Sequence, residues 1–150
     1  RAGENLDFLA ALKNAGRENC HRVIERFQLT DYLSLPVTAL EAGVYQRLAL
    51  ACALLNEPEL LLADDLFQSI DPASHHIILR ELKEYLACGG TCILSFNNMD
   101  AYSKNDLYSS ISRVGWLEQG RLTVCQPGEA RDQWDRRLKS FEEQSGENHA

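Results

Sequence analysis

The chain has 150 residues, of which 45% are hydrophobic and 25% charged, and its formal net charge is −7 at neutral pH. This composition is that of a packed globular domain and excludes disordered, collagen-like and disulfide-scaffold proteins. An acidic surface repels phosphate backbones, so we expect no nucleic-acid partner. The five scattered cysteines fit a reducing compartment without a metal site, and the longest apolar run, residues 48–55, is too short to span a bilayer.

Apolar residues recur at helical spacing in three segments of the first part of the chain, and each segment predicts an amphipathic helix. These residues are Leu6, Leu9 and Leu12, then Val23, Ile24 and Phe27, and finally Val44, Leu48, Ala51 and Leu55. A loop is expected from Thr30 to Leu40, and Pro58 should stop the third helix.

The next segment predicts a strand, a helix and a second strand. The apolar run Leu60 to Ala63 is typical of a parallel strand that is covered on both faces. Asp71 followed by Pro72 predicts an N-cap and a first helical residue, and Gly89-Gly90 should end that helix. Since the strand Thr91 to Ser95 follows directly, we expect two parallel strands joined by a right-handed crossover.

The last third of the chain predicts a hairpin and a helix. Arg113 to Leu117 and Arg121 to Val124 flank a short loop that ends in Gly120, where a positive φ is needed. A helix then follows, because Ala130, Trp134, Leu138 and Phe141 form one apolar stripe in a charged segment.

Two adjacent carboxylates, Asp64 and Asp65, directly follow the first predicted strand. Nucleotide hydrolases place such acids at the carboxyl edge of the sheet, where one holds Mg²⁺ through water and the next orients the attacking water. The same two residues also fit a plain strand end, at which the acids cap the next turn and face solvent. The pair by itself leaves both interpretations open.

The stretch from Leu40 to Pro72 resembles the segment between the signature motif and the D-loop of ATP-binding-cassette (ABC) ATPases, in both order and spacing of motifs. The resemblance places the signature on Leu40 to Val44, the following Gln-Arg pair on Gln46-Arg47, the Walker B aspartate on Asp64, the catalytic glutamate on Asp65 and the D-loop on Ile70-Asp71. It continues in the strand that ends at Ser95, after which Asn97 stands where the family has its switch histidine, and in the near-terminal Gly120-Arg121-Leu122.

This resemblance implies an α/β fold that is part of a P-loop NTPase (RecA-like) ABC ATPase, with a mostly parallel sheet flanked by helices. It implies a helical subdomain with the signature at 1–57, a second part of the core with its hairpin and last helix at 58–145, and a frayed tail at 146–150. It also implies a cytoplasmic position at the inner face of a membrane, with a second ABC ATPase domain and a transmembrane transporter subunit as partners.

The cofactors that the resemblance implies are ATP and Mg²⁺. The 150 residues contain no G-x-x-x-x-G-K-[S/T] phosphate loop, and the family carries this Walker A loop upstream of the segment that matches. We therefore expect ATP and Mg²⁺ to bind only together with a Walker A part or a partner domain. Asp64 is the residue expected to hold Mg²⁺, through water.

Three motifs depart from the family pattern. In the family, the signature serine and glycine amides hold the γ-phosphate bound by the opposite subunit, a role that would fall here to Leu40, Glu41, Ala42 and Gly43. The resemblance also implies a nucleotide-binding role for Asp71 of the D-loop. Glu41 replaces the serine, and its carboxylate repels a phosphate unless it serves as a helix cap. Asp65 is one methylene shorter than glutamate, and Asn97 cannot carry the positive charge of a histidine.

The sequence thus predicts an ATP-binding part of an ABC transporter subunit that pairs with a competent ATPase domain and regulates more than it hydrolyses. One alternative is a non-enzymatic pseudo-ATPase module that acts by docking another protein. Another is an unrelated α/β phosphoacceptor domain, with Asp64 and Asp65 as its acidic cluster, although a suitable lysine after a later strand is missing.

Overall fold

The computed structural model describes residues 1–96 and 108–147, which belong to two compact units, Arg1–Phe96 and Asn97–Ala150. The first unit contains the helices α1 (Ala2–Leu12), α2 (Arg17–Arg26), α3 (Ala42–Ala53) and α4 (Pro72–Ala87) and the strands β1 (Leu60–Ala63) and β2 (Thr91–Leu94). The described part of the second unit contains β3 (Val114–Glu118), β4 (Arg121–Cys125) and α5 (Pro127–Glu147). Short 3-10 turns lie at Thr30–Tyr32, Val37–Ala39 and Tyr108–Ser110.

The predicted strand, helix and strand unit is confirmed. β1 and β2 pair in parallel, with Leu61 opposite Cys92 and Ala63 opposite Leu94. The helix between them, α4, begins as expected, because Asp71 occupies its N-cap and Pro72 its first position. It ends before Gly89, whose φ of +94° is a left-handed conformation that glycine adopts without strain.

The core of the first unit lies around α3, which packs against α1, α2 and α4. The predicted stripe Val44, Leu48 and Ala51 is buried, as is Leu55 just beyond the end of the helix. From α4, Ile78 and Leu82 are completely buried. Each fully buried aliphatic side chain of this kind stabilises the fold by about 1.5–3 kcal/mol relative to an exposed one.

The expectation that β1 is covered on both faces is wrong for the described residues. Leu61 is buried, whereas Leu60 and Leu62 are 50% and 67% exposed. Since successive strand residues point to opposite faces, these two leucines share one face of the sheet, which also carries the exposed Ile93 opposite Leu62. The described part of the first unit therefore covers a single face of its two-stranded sheet.

The second unit contains the predicted hairpin and helix. β3 and β4 are antiparallel, and the loop between them consists of Gln119 and Gly120, both with positive φ, as two-residue hairpin loops require. Trp116 and Trp134 meet edge to face at 6.3 Å between ring centres and so join the hairpin to α5. Of the predicted frayed tail, residues 148–150 lie outside the described residues, and α5 runs through Glu147.

Candidate functional site

The acids predicted to bind Mg²⁺ and to orient water lie directly after β1, at the carboxyl end of the parallel pair. Asp64 is exposed and Asp65 is half-buried. Both contact Ser95, the residue that follows β2: its hydroxyl donates a short hydrogen bond to Asp64 Oδ1 and accepts one from the Asp65 backbone N–H at 3.2 Å. The parallel pairing of the two strands thus brings Ser95 into contact with the two acids that were predicted at this edge of the sheet.

The backbone turns sharply at this point. Asp65 has φ +45°, a left-handed conformation that few non-glycine residues adopt, although aspartate tolerates it better than most. Its carbonyl accepts a hydrogen bond from Gln68 N–H at 3.0 Å, and Leu66 is buried beneath the turn. The two carboxylates therefore lie on a tight turn, and the buried side chain of Leu66 packs this turn against the core.

The predicted signature residues lie at the start of α3. Leu40 closes the preceding 3-10 turn, and Glu41 occupies the N-cap of α3 with an extended backbone. The carbonyl of Glu41 accepts a bond from Tyr45 N–H at 2.9 Å, but its exposed carboxylate makes no capping hydrogen bond. The Glu41 side chain therefore does not serve as the helix cap, and its charge stays at the positive end of the helix.

Gly43 brings the start of α3 into direct contact with the start of α4. A Cβ on Gly43 would overlap Asp71 Oδ2 and Ser74 Oγ and would lie 2.6 Å from Ser74 Cβ. Glycine allows this close packing, because a larger side chain would fit only if the two helix ends shifted apart. The predicted signature residue Gly43 and the predicted D-loop residue Asp71 are thus neighbours within the first unit.

Asp71 caps α4 while it lies against α3. Its Oδ1 accepts a hydrogen bond from Ser74 N–H at 2.9 Å. The Ser74 side chain and then this backbone N–H lower the pKa of Asp71 below its ordinary value. A carboxylate charge is thus held between two helix N-termini, and with Glu41 it makes the beginning of α3 acidic.

Asn97, the residue expected in place of the switch histidine, lies outside the described residues. Its neighbours Ser95 and Phe96 are described. The ring of Phe96 stacks on that of Phe67, from the turn after Asp65, with 6.3 Å between ring centres and 5° between planes. Phe67 also contacts His75 of α4 at 4.9 Å between ring centres.

Arg47 of α3 has a structural role that was not predicted from the sequence, and it is only 6% exposed. Its guanidinium donates to the carbonyls of Phe27 and Gln28, at 3.1 and 3.3 Å, and lies 5.4 Å from the ring centre of Tyr32. These hydrogen bonds therefore connect the residues at the end of α2 to α3. Arg47 is three residues after Val44 and four before Ala51, and this helical spacing is the signal that could have revealed its burial.

A second missed group joins α2 to α4. Glu81, only 1% exposed, accepts a short hydrogen bond from Arg26 Nε and another from Arg80 Nε at 2.8 Å. Arg26 also pairs with Glu84 at 3.0 Å. Arg26, Glu81 and Glu84 border a cavity of about 200 Å³. The cavity also contacts Glu59 and Gly90, the residues before β1 and β2. The cavity is therefore at the opposite end of the strands from Asp64.

Two further observations concern membrane and metal binding. Within the described ranges, none of the helices is both long and apolar enough to cross a bilayer. Residues 1–96 and 108–147 contain no cluster of three or more His, Cys, Asp and Glu side chains that could by itself hold a metal ion. Asp64 fits a Mg²⁺ site of another kind, in which one carboxylate combines with water and substrate phosphates.

Comparison with known proteins shows relatives of one kind. No protein-family model matches the chain. Nod factor export ATP-binding protein I of Sinorhizobium fredii is 38% identical over 97 residues, which cover 65% of this chain and 27% of that protein. The methionine import ATP-binding protein MetN of Lactobacillus delbrueckii subsp. bulgaricus is 33% identical over 136 residues, which cover 86% of this chain and 36% of that protein.

The fold comparison agrees with these relatives. A solved structure of the ATP-binding subunit of an ABC transporter superposes with a TM-score of 0.72 at 23% identity, covering 89% of this chain and 56% of that one. The α/β fold of a partial ABC ATPase is therefore confirmed, and a docking module or phosphoacceptor domain is not favoured. The chain spans about a third of the length of the curated relatives named above. It belongs to the ATP-binding proteins of ABC transporters and corresponds to part of one such subunit.

Proposed function

We propose that the chain is part of an ATP-binding subunit that couples ATP binding and hydrolysis to transport across a membrane. Its position would be the cytoplasmic face, in contact with a transmembrane subunit and a second ATPase domain. The observation that carries the proposal is that one unit contains both predicted motif regions. Asp64 directly follows β1, and Gly43 at the start of α3 packs against Asp71 at the start of α4. The relatives are named for Nod factor export and methionine import, so they support ATP-driven transport and neither cargo in particular.

Asp64 is the proposed contact to Mg²⁺. The supporting observation is an exposed carboxylate at the carboxyl end of β1 whose Oδ1 is oriented by the Ser95 hydroxyl. Mg²⁺ bound there would neutralise charge on the ATP phosphates. Asp65, on the same turn, would orient the attacking water, but its side chain is one methylene shorter than glutamate. Since a misplacement of about 1 Å can cost on the order of 10²-fold in rate, we propose slow hydrolysis at this site.

The acidic start of α3 supports a weakened trans site. A helix N-terminus favours a bound anion, but here the carboxylates of Glu41 and Asp71 already occupy that region. A γ-phosphate brought by a partner domain would meet both negative charges. We therefore propose that this signature binds ATP in trans poorly, which weakens the site that it would complete for the partner domain. The other site of the pair contains Asp64 and Asp65 and is slow for the reason given above. The chain would then regulate transport more than it hydrolyses ATP.

The test is Mg-ATP hydrolysis by the complete protein together with its partner domain, comparing wild type with Asp64→Asn and, as a matched control, Asp31→Asn. Asp31 is an exposed acid on the 3-10 turn Thr30–Tyr32. We expect the wild type to turn over slowly and neither substitution to change the total rate by more than about twofold. Brisk turnover that Asp64→Asn alone abolishes would refute the regulatory part of the proposal.

Trans binding is tested by replacing the acid at the start of α3. Glu41→Ser restores the family residue, and we expect ATP-dependent pairing with the partner domain to strengthen roughly tenfold, or by about 1.4 kcal/mol. Glu18→Ser is the matched control, because Glu18 is an exposed glutamate in the first turn of α2. Equal affinities for the two variants, measured by analytical ultracentrifugation with ATP, would show that charge at Glu41 does not limit pairing.

A further inference from the structure

Ser95 uses its backbone and its side chain to join the ends of the two parallel strands. Its N–H donates to the Ala63 carbonyl at 3.0 Å, which extends the β1–β2 pairing by one residue. Its hydroxyl donates to Asp64 Oδ1 and accepts the Asp65 backbone N–H at 3.2 Å. A serine hydroxyl supplies one donor and two acceptor sites, so a single atom can make both of these bonds. Alanine at this position would lose them together.

The two hydroxyl bonds act on different parts of the acidic turn. The bond to Asp64 fixes the orientation of a carboxylate that is otherwise exposed to solvent. The bond from Asp65 N–H holds the backbone where φ is +45°, a conformation that costs a non-glycine residue of order 1–3 kcal/mol. Ser95 thus fixes the direction of the Asp64 side chain and the path of the chain into Asp65.

Aromatic contacts keep the end of β2 close to this turn. Phe96, next to Ser95, stacks on Phe67, and Phe67 contacts His75 in the first turns of α4. The turn after β1 is therefore stabilised by two kinds of contact: the ring contacts of Phe67 and the hydrogen bonds of the Ser95 hydroxyl. This arrangement leaves little freedom for Ser95 to move away from Asp64.

We propose that Ser95 is a positioning residue for the divalent cation, acting by holding Asp64 and the Asp65 turn in the geometry that the cation needs. This inference rests on the proposed function, in which Asp64 holds Mg²⁺ through water. Groups that hydrogen-bond to a ligating carboxylate fix its orientation, and their removal typically weakens metal binding by about 10–100-fold. Ser95 is in this relation to Asp64, and it contacts no cation itself.

The experiment is a titration of the complete protein with Mn²⁺ in the presence of ADP, followed by water-proton relaxation. We expect Ser95→Ala to weaken Mn²⁺ binding about tenfold and Ser95→Thr, which keeps the hydroxyl, to bind like wild type. Ser69→Ala is the matched control, because Ser69 is an exposed serine on the same turn. Hydrogen exchange at the Asp65 amide is the second measurement, and it should quicken about tenfold in Ser95→Ala alone.

Asp64→Asn separates this inference from the proposed function. If Asp64→Asn abolishes Mn²⁺ binding while Ser95→Ala binds like wild type, the role of Ser95 is refuted and the cation site stands. If wild type and Asp64→Asn bind Mn²⁺ equally, or neither binds it, the cation site is refuted and the role of Ser95 with it. Unchanged exchange at the Asp65 amide in Ser95→Ala would also overturn the inference, because it would show that the turn does not depend on the hydroxyl.

Discussion

Replacing Gly43 by alanine tests the contact between the signature and D-loop residues most directly. In an open helical position this substitution stabilises a protein by about 0.5–1 kcal/mol. At Gly43 the new Cβ would overlap Asp71 Oδ2 and lie 2.6 Å from Ser74 Cβ, whereas carbon atoms in contact are about 3.5–4.0 Å apart. Either α3 or the start of α4 must then move by about 1 Å.

The cost of that movement has two parts. Overpacking a close contact costs typically about 1–3 kcal/mol, and disturbing the Asp71 cap adds part of the roughly 0.5–2 kcal/mol that such caps contribute. Set against the gain from alanine, Gly43→Ala should destabilise the protein by about 1–4 kcal/mol. The cost should be smaller in an Asp71→Ala background, because the oxygen that is overlapped is then absent.

The assay is urea unfolding followed by circular dichroism at 222 nm, together with hydrogen exchange of peptides from α3 and α4. Gly128→Ala is the matched control: Gly128 is in the first turn of α5, and a Cβ there meets nothing within 4 Å. It should be neutral or stabilising by about 0.5–1 kcal/mol. If Gly43→Ala were as stable as Gly128→Ala, the close approach of α3 to α4 would be refuted.

Three further predictions use the same unfolding assay or a simple labelling experiment. Arg26→Met should cost about 1–3 kcal/mol because it removes a charge partner of a buried carboxylate, whereas Arg22→Met, whose pair is exposed, should cost at most about 1 kcal/mol. Since the pKa of Asp71 is lowered in the folded chain, its contribution to stability is complete above the ordinary value of 3.8 and is lost as the pH falls below it. Unfolding between pH 3 and 7 should therefore be less acid-sensitive in Asp71→Ala. Burial raises the pKa of Cys52 to about 11, so iodoacetamide at pH 8 should label the exposed Cys88 about tenfold faster or more, as followed by peptide mass spectrometry.

Local patterns were sufficient to predict the elements of the fold. The spacing of Val44, Leu48 and Ala51 identified the buried face of α3, and Asp71 with Pro72 identified the start of α4. Gly120 located the hairpin loop, where both residues have positive φ. In each case the physical cause lies within a few residues of the sequence, so the pattern and the structure agree.

The site required information that no local pattern contains. Sequence order indicated that Asp64 and Asp65 would lie at the carboxyl edge of a sheet, but their contact with Ser95 joins residues 31 positions apart. Likewise, the close packing at Gly43 could not be predicted, because it depends on which helix lies beside α3. The prediction that β1 is covered on both faces was wrong for the same reason. An apolar run shows that a strand can be buried, but other parts of the chain determine whether each of its faces is covered.

Three positions in and beside the predicted signature differ in what they contact. Gly43 and Arg47 are retained, and both are buried in contacts that set the position of α3 against its neighbours. Glu41 departs from the pattern, and its side chain is exposed. A change at an exposed position alters charge without disturbing packing, so it can remove a phosphate contact and leave the helix in place. At these three positions, the contacts support the proposal that the chain keeps the shape needed to pair with an ATPase partner while its own contribution to hydrolysis is reduced.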